Sequence, residues 1–294
     1  MPHFQRTPEI AIWYLDEGPR TAPVILLIPG LTCDLHDWSW QITFLLSLGL
    51  RVISMDLRGQ GRSSAPTPTP GITTWPGPSP PPGVIDYYPQ TCAHDGISLL
   101  ESLGVAKTIV MGHSLGDLVG YYLTVTRPDL VTALVGVDPI HRWGHAWREA
   151  NANFFDDLET VVEKMLVFFA YSYPPHAPDW QKAWHARRAA QMDPLVMYAL
   201  SWGGWGDREN GLGRKEVAVR EYSGRLKCPR LTFGCNEEAV AADKNELPKG
   251  SDLDECVLIE GEGHWFHQTA SERFNQVLKG WLDKLGVLPV RPAQ

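Results

Sequence analysis

Nothing in these 294 residues approaches the ~18 consecutive apolar residues that a membrane-spanning helix requires. The N-terminal MPHFQRTPEI has no apolar run and no cleavage pattern, so no secretion signal is expected. Basic residues are outnumbered, 26 Lys and Arg against 34 Asp and Glu, for a net charge of −8. That balance argues against nucleic acid or an anionic membrane surface as a partner. Cysteine is sparse. Cys33, Cys92, Cys228, Cys235 and Cys256 are odd in number, widely spaced and contain no C-x-x-C pair. Neither a disulfide frame nor a zinc site is expected, and reduced thiols in a cytoplasmic protein are. Internal repeats are also missing. What remains is an ordinary globular composition, 44% hydrophobic and 20% charged, long enough for one large α/β domain with or without an insertion.

Tryptophan, by contrast, is plentiful. Twelve occur, six of them between Trp143 and Trp205. Around that stretch the chain alternates between strand-like and helix-like patterns. Ile10 to Tyr14 is apolar enough for a short strand before the turn Asp16-Glu17-Gly18-Pro19. Pro23 to Ile28 is continuously apolar, as a strand buried on both faces must be, and runs into Pro29-Gly30-Leu31-Thr32. A helix is expected over Asp37 to Leu48, a strand over Arg51 to Asp56, and then the segment LRGQGRS. Residues 65–84 are dense in Pro, Gly and Thr and carry Trp75, which predicts a long, mobile loop. A helix over Gln90 to Leu103 follows. Further strand-like runs are Thr108 to Met111, Leu130 to Val137, Pro229 to Phe233 and Glu255 to Ile259, and Glu272 to Leu285 closes the chain as a helix. Repeated strand–helix units predict a mainly parallel sheet with helices on both faces.

The most informative stretch is KTIVMGHSLGD, Lys107 to Asp117. A buried strand, the G-x-S-x-G pattern of Gly112 to Gly116, and a helix over Leu118 to Thr126 make the context of a nucleophile elbow. The turn holds its central residue in strained geometry, so Gly112 and Gly116 must be small enough for strand and helix to approach. Ser114 is thereby presented at the C-terminal end of the sheet, with a helix N-terminus behind it that favours developing negative charge.

Between Ile140 and Arg225 strand-like runs disappear, and aromatic residues and Met recur at helical spacing: Phe154, Phe155, Met165, Phe168, Phe169, Trp180, Trp184. Trp202-Gly203-Gly204-Trp205-Gly206 reads as a flexible aromatic loop. The expected division is a core of residues 1–139 and 226–294, with 140–225 as an inserted helical cap. Most of these aromatics are expected to be the cap's own core. Trp143, Trp202 and Trp205 are the candidates to face substrate.

LLIPG before the first helix, DLRGQGRS, GHSLG at the elbow and GEGHWFHQ after the last strand resemble, taken together, the α/β-hydrolase fold superfamily, over Ile10 to Ile140 and Lys227 to Leu285. The resemblance implies the rest of the site. A serine hydroxyl needs a base within reach and the base an orienting acid. His264 stands at the family's Gly-His position after the last strand, with His267 as a nearby rival. The acid has two candidates: Glu237, beyond Gly234 on the superfamily's usual loop, and Asp138, at the end of the strand after the elbow helix, where some members carry theirs. The amides of Leu115, after the nucleophile, and Leu31, after the first buried strand, would form the oxyanion hole. One departure is Asp117, where the superfamily usually has a small residue; a solvated or helix-capping role is expected for it. His113 is expected to pack, and His141 and His145, four apart but without the H-E-x-x-H glutamate, to bind no metal.

These readings converge on a serine esterase or lactonase of a small apolar or aromatic substrate, with no cofactor, no metal, and a homodimer compatible with the composition. Two other classes stay open. One is carbon–carbon hydrolysis, or cofactor-free dioxygenase or lyase chemistry on the same fold. The other is a non-catalytic binding protein. A serine at the elbow speaks against epoxide hydrolases and haloalkane dehalogenases, which use a carboxylate there.

Overall fold

The computed structural model describes residues 3–71, 83–141, 144, 146, 149 and 157–289. Its described strands form one eight-stranded sheet. In chain order they are β1 (His3–Gln5), β2 (Ala11–Glu17), β3 (Val24–Ile28), β4 (Arg51–Met55), β5 (Thr108–His113), β6 (Val131–Val137), β7 (Arg230–Gly234) and β8 (Glu255–Leu258). Their spatial order is β1-β2-β4-β3-β5-β6-β7-β8. β2 runs antiparallel to β1 and β4, and every pair from β4 to β8 is parallel. β3, β4, β5 and β7 are buried at every residue, which is why none of them alternates between apolar and polar along its length. β1 was not legible: three residues are too few to show a period.

Helices α1 (Ser39–Ser47), α2 (Pro89–Ser102), α3 (Leu115–Thr126), α8 (Glu237–Glu246) and α10 (Ser271–Lys284) flank the sheet, with the short α9 (Phe266–Thr269) before the last. Two apolar cores result. One face packs β3, β4 and β5 against α2 and α3 through Leu26, Met55, Val110, Leu118 and Leu123. The other packs Ile25, Met111 and Phe233 against Leu45, Phe274 and Trp281 of α1 and α10. Alternate residues of one strand thus serve opposite cores, as the period-2 pleat requires.

Between β6 and β7 the described chain is helical: α4 (Val161–Ser172), α5 (Asp179–Gln191), α6 (Pro194–Ser201) and α7 (Lys215–Tyr222). Trp202–Gly206 is not a flexible loop. It continues α6 as a π-helical turn with Gly203 to Gly206 buried. The turn is ordered by packing: a Cβ on Gly203 would lie 3.0 Å from Tyr88 Cα, and one on Gly206 2.5 Å from the Trp202 ring. Of the proline-rich stretch 65–84, residues 72–82 lie outside the described ones, Trp75 among them. Its two ends are tied together, Thr69 N–H to the Ile85 carbonyl and Ile85 N–H to Thr69 Oγ1, both at 2.8 Å. Among the described residues no helix is long and apolar enough to cross a membrane.

Candidate active site

At the end of β5 the backbone turns through Ser114 with φ 52° and ψ −117°, a left-handed conformation that non-glycine residues rarely adopt. Two hydrogen bonds and two glycines hold it. Ser114 N–H donates to the Val137 carbonyl at 2.9 Å, and Asp117 N–H to the Ser114 carbonyl at 3.0 Å. The two glycines do the rest. A Cβ on Gly112 would sit 2.2 Å from the Gly116 oxygen, and one on Gly116 2.2 Å from the Ile28 oxygen. Both neighbours are backbone and cannot step aside. The motif's spacing is therefore a packing requirement.

His264 follows β8 on a loop whose Gly263 could carry no side chain either, since a Cβ there would lie 2.1 Å from the Ser172 oxygen. His264 N–H donates to that same carbonyl at 2.8 Å. Its ring Nδ1 is 2.5 Å from Asp138 Oδ2, and both residues are buried. Asp138 also sits in the left-handed region, φ 45°. Its N–H bonds the Phe233 carbonyl at 2.8 Å, and its carboxylate accepts from Cys235 N–H (3.3 Å) and Sγ–H (3.4 Å). Glu237, the other acid candidate, is exposed in the first turn of α8, behind the cap residue Asn236. The loop on which it was expected is the start of a helix, and its side chain points to solvent.

His267, the rival base, is fully buried against the rings of Trp38 (4.9 Å) and His113 (4.6 Å), and no hydrogen bond reaches either ring nitrogen. Burial holds it well down, at about 3, so it stays neutral. His113 packs as expected and also braces the site, its Nε2–H donating to the His264 carbonyl at 3.0 Å. Burial keeps it well below the usual histidine range too.

The loop after β3 carries Leu31. Thr32 has φ 63°, unusual for a β-branched residue. It is held by Gln60, whose side chain accepts from Thr32 N–H (2.5 Å) and donates to the Gly30 carbonyl (3.0 Å). Gln60 lies inside DLRGQGRS, but only the folded chain shows that its amide spans the neighbouring loop. Among the described residues, neither Leu31 N–H nor Leu115 N–H is engaged by a backbone carbonyl.

A model of the alpha/beta hydrolase fold family matches residues 23–170, half of the chain. A putative carbamate hydrolase of Variovorax paradoxus is 31% identical over 280 residues, 92% of this chain and 96% of its own. The chain belongs to the alpha/beta hydrolase fold family. An (E)-2-((N-methylformamido)methylene)succinate hydrolase of Acinetobacter baylyi is 23% identical, covering 92% of this chain and 93% of its own. Among solved structures, a carboxylesterase from Nitrososphaera gargenis superposes with a TM-score of 0.72 at 16% identity, covering 97% of this chain and 99% of that one. The chain is a hydrolase of this fold.

Within that family frame, Ser114, His264, Leu31 and Ile140 line a cavity of about 20 Å³ together with Met165, Phe168 and Phe169 of α4, Trp205 and Trp265. A space of that size holds about one water. Trp205 is 3% exposed and its indole N–H donates to the Ile140 carbonyl at 3.1 Å. Trp202 stands off the cavity, stacked on Tyr198 at 6.3 Å. Trp143 lies outside the described residues. Met165, Phe168 and Phe169 were read as helix core, and the structure puts them on the wall of the cavity that Ser114 also lines; their spacing alone could not separate the two.

By spacing alone, buried Cys33, Asp37 and His113 could hold a metal, their ligand atoms lying within 4.8 Å of one another. The chemistry is unsuited. Burial pushes the Cys33 thiol up, so it stays protonated. Asp37 is already engaged by the Arg188 guanidinium at 2.5 Å, and that cation opposes a second one. Asp117 corrects an expectation. It is 1% exposed, neither solvated nor a cap, and burial pushes its carboxyl up to about 6.

Proposed function

We propose that this hydrolase cleaves an ester or lactone bond of a small apolar or aromatic substrate through a Ser114–His264–Asp138 triad. One observation carries the reading: the 2.5 Å contact between His264 Nδ1 and Asp138 Oδ2. It commits Nδ1 to the acid and leaves Nε2 as the ring nitrogen available to Ser114, which lines the same cavity. Ser114 Oγ attacks the carbonyl carbon and His264 takes its proton. The amides of Leu31 and Leu115 hold the tetrahedral oxyanion. Collapse breaks the bond to the alkoxy oxygen, which receives the proton from His264. In a lactone that alcohol stays tethered to the acyl group. Water, deprotonated by His264, then releases the acid and restores Ser114.

Two further parts belong to the same reading. Residues 140–225 act as a cap over a core of 1–139 and 226–294, because α4 and Trp205 supply the apolar wall opposite Ser114. A cavity of about 20 Å³ is smaller than any ester, so the cap side must give way when substrate enters. The carboxylesterase-like fold and the hydrolase relatives support an acyl-transfer chemistry without naming the substrate.

A fluorophosphonate probe should label wild-type Ser114, and a panel of aryl esters, lactones and diketones should separate ester from carbon–carbon cleavage. Ser114→Ala should remove at least ~10³-fold of activity, since nucleophile and base act as a unit. Turnover surviving that substitution near the wild-type level would overturn covalent catalysis and favour chemistry in which His264 deprotonates the substrate.

A further inference from the structure

Behind the elbow lies a second buried constellation that the triad does not use. His141, 3% exposed, stands between two carboxylates: its Nε2 is 3.5 Å from Asp117 Oδ2 and its Nδ1 3.6 Å from Asp243 Oδ1. Both acids are buried as well. Neither ring nitrogen of His141, nor Asp117 Oδ2, makes a hydrogen bond within the protein. At 3.5 and 3.6 Å both contacts lie within ion-pair reach but are longer than hydrogen bonds. The other groups facing the cluster are the Tyr222 ring, 5.5 Å from the His141 ring, and Arg230, whose guanidinium lies over Tyr222 at 4.9 Å.

The three residues come from three elements that must agree for the acid to work. Asp117 is in the first turn of α3, two residues beyond the nucleophile's neighbour. Asp243 is on α8, the helix that follows Cys235 and its bonds to Asp138. His141 is three residues past Asp138 on the same loop, its N–H closing a tight turn onto the Pro139 carbonyl at 3.1 Å. The packing is specific. The Asp117 carboxylate lies over Gly136 of β6, where a Cβ would come within 2.6 Å of Oδ1. Asp138 itself holds a left-handed backbone, φ 45°, that an aspartate keeps only when its surroundings over-determine it.

We propose that His141 is a positioning residue: wedged between Asp117 and Asp243, it locks the Asp138 loop so that the acid's carboxylate meets His264 Nδ1. The inference rests on Asp138 being the triad acid. Removing the wedge frees the loop to relax, and Asp138 swings off His264.

The test is kinetic, on the full chain with an aryl acetate and a fluorophosphonate. His141→Gln should lower kcat by about 10²-fold, the usual cost of a small misplacement at a reacting centre. It should slow fluorophosphonate labelling of Ser114 in proportion. In an Asp138→Asn background it should cost nothing more, because its whole effect passes through Asp138. A merely structural role would give losses that multiply in the double variant. Should Asp117 and Asp243, left facing each other, unfold His141→Gln, then His141→Gln with Asp117→Asn relieves that repulsion and answers the same question. Wild-type kcat in the folded variant, or multiplying losses, overturns the proposal. A wild-type enzyme that the probe does not label sinks the triad reading instead, so the two failures are distinguishable.

Discussion

The sheet end and the helical insertion build opposite walls of one small cavity, but by different means. On the sheet side, position is set by backbone against backbone. Gly112, Gly116 and Gly263 each face a carbonyl oxygen or chain atom closer than any side chain could come. Ser114, Asp138 and Thr32 hold left-handed conformations kept in place by named hydrogen bonds. On the insertion side, Met165, Phe168, Phe169 and Trp205 bring large apolar side chains to the cavity, and among the described residues only the Ser172 carbonyl of α4 bonds the His264 loop through backbone. Backbone contacts cannot yield, whereas side-chain contacts can repack. Reactivity is therefore brittle on one wall and tunable on the other.

The sharpest way to break that contrast is a pair of substitutions across the cavity. Gly116→Ala should destabilise by more than about 4 kcal/mol or prevent folding, because the Ile28 carbonyl has nowhere to go. Phe168→Ala should leave a folded enzyme whose preference moves toward bulkier acyl groups. Thermal melts and a chain-length series of esters measure both. A stable Gly116→Ala variant would show that the elbow is not backbone-limited.

Next in size is the choice of acid. Asp138→Asn should lower kcat by about 10²–10⁴-fold without loss of folding, because the imidazole loses its orienting charge. Exposed Glu237, exchanged for Gln, should stay within about twofold of wild type. If the two results were reversed, the carboxylate that touches His264 at rest would not be the one that serves it in turnover.

Within the insertion the two surviving tryptophan candidates should separate. Trp205, buried and bonded to the Ile140 carbonyl, behaves as core: its replacement by Ala should cost ~3–5 kcal/mol. Half-buried Trp202, off the cavity, should cost less and leave KM unchanged. Denaturant unfolding beside Michaelis kinetics checks this, and a raised KM for Trp202→Ala alone would return it to the substrate wall.

The smallest expected effect is on stability against pH, and it joins the two regions. Burial holds His185 of α5 at about 2 and His267 of α9 at about 3, against 6.5 for free histidine. A depressed native value means the unfolded chain takes up protons first. The stability is complete above about pH 6.5 and is lost as pH falls toward those values. At pH 4 the loss is at most about 3 kcal/mol per histidine. His185→Gln should flatten the dependence of Tm on pH between 7 and 4, and an unchanged slope would mean that His185 is protonated in the native state.

How far such contrasts could be read in advance depended on range along the chain. The elbow was legible because its constraint is local: strand, turn and helix lie within Thr108 to Thr126, and the glycines fall at fixed offsets. Gln60 was inside a quoted motif yet silent, because its partners, Gly30 and Thr32, are about 30 residues away. Glu237 and Asp138 stood equal on chain order. In the fold they part: a helix starting at Glu237, capped by Asn236, turns its carboxylate outward, while Asp138 meets the His264 ring. Asp117 looked solvated because its counterparts, His141 and Asp243, arrive from other elements.

What the amino-acid order determined by itself was the succession of buried strands and helices, the parallel sheet, and the serine at its elbow. Those depend on periodicity and steric limits within a few residues. Only the tertiary structure decided which acid meets His264, which aromatics face Ser114 and what buries Asp117. Such contacts join residues up to 126 positions apart, as His264 and Asp138 are, and no local pattern encodes a distance that packing alone sets.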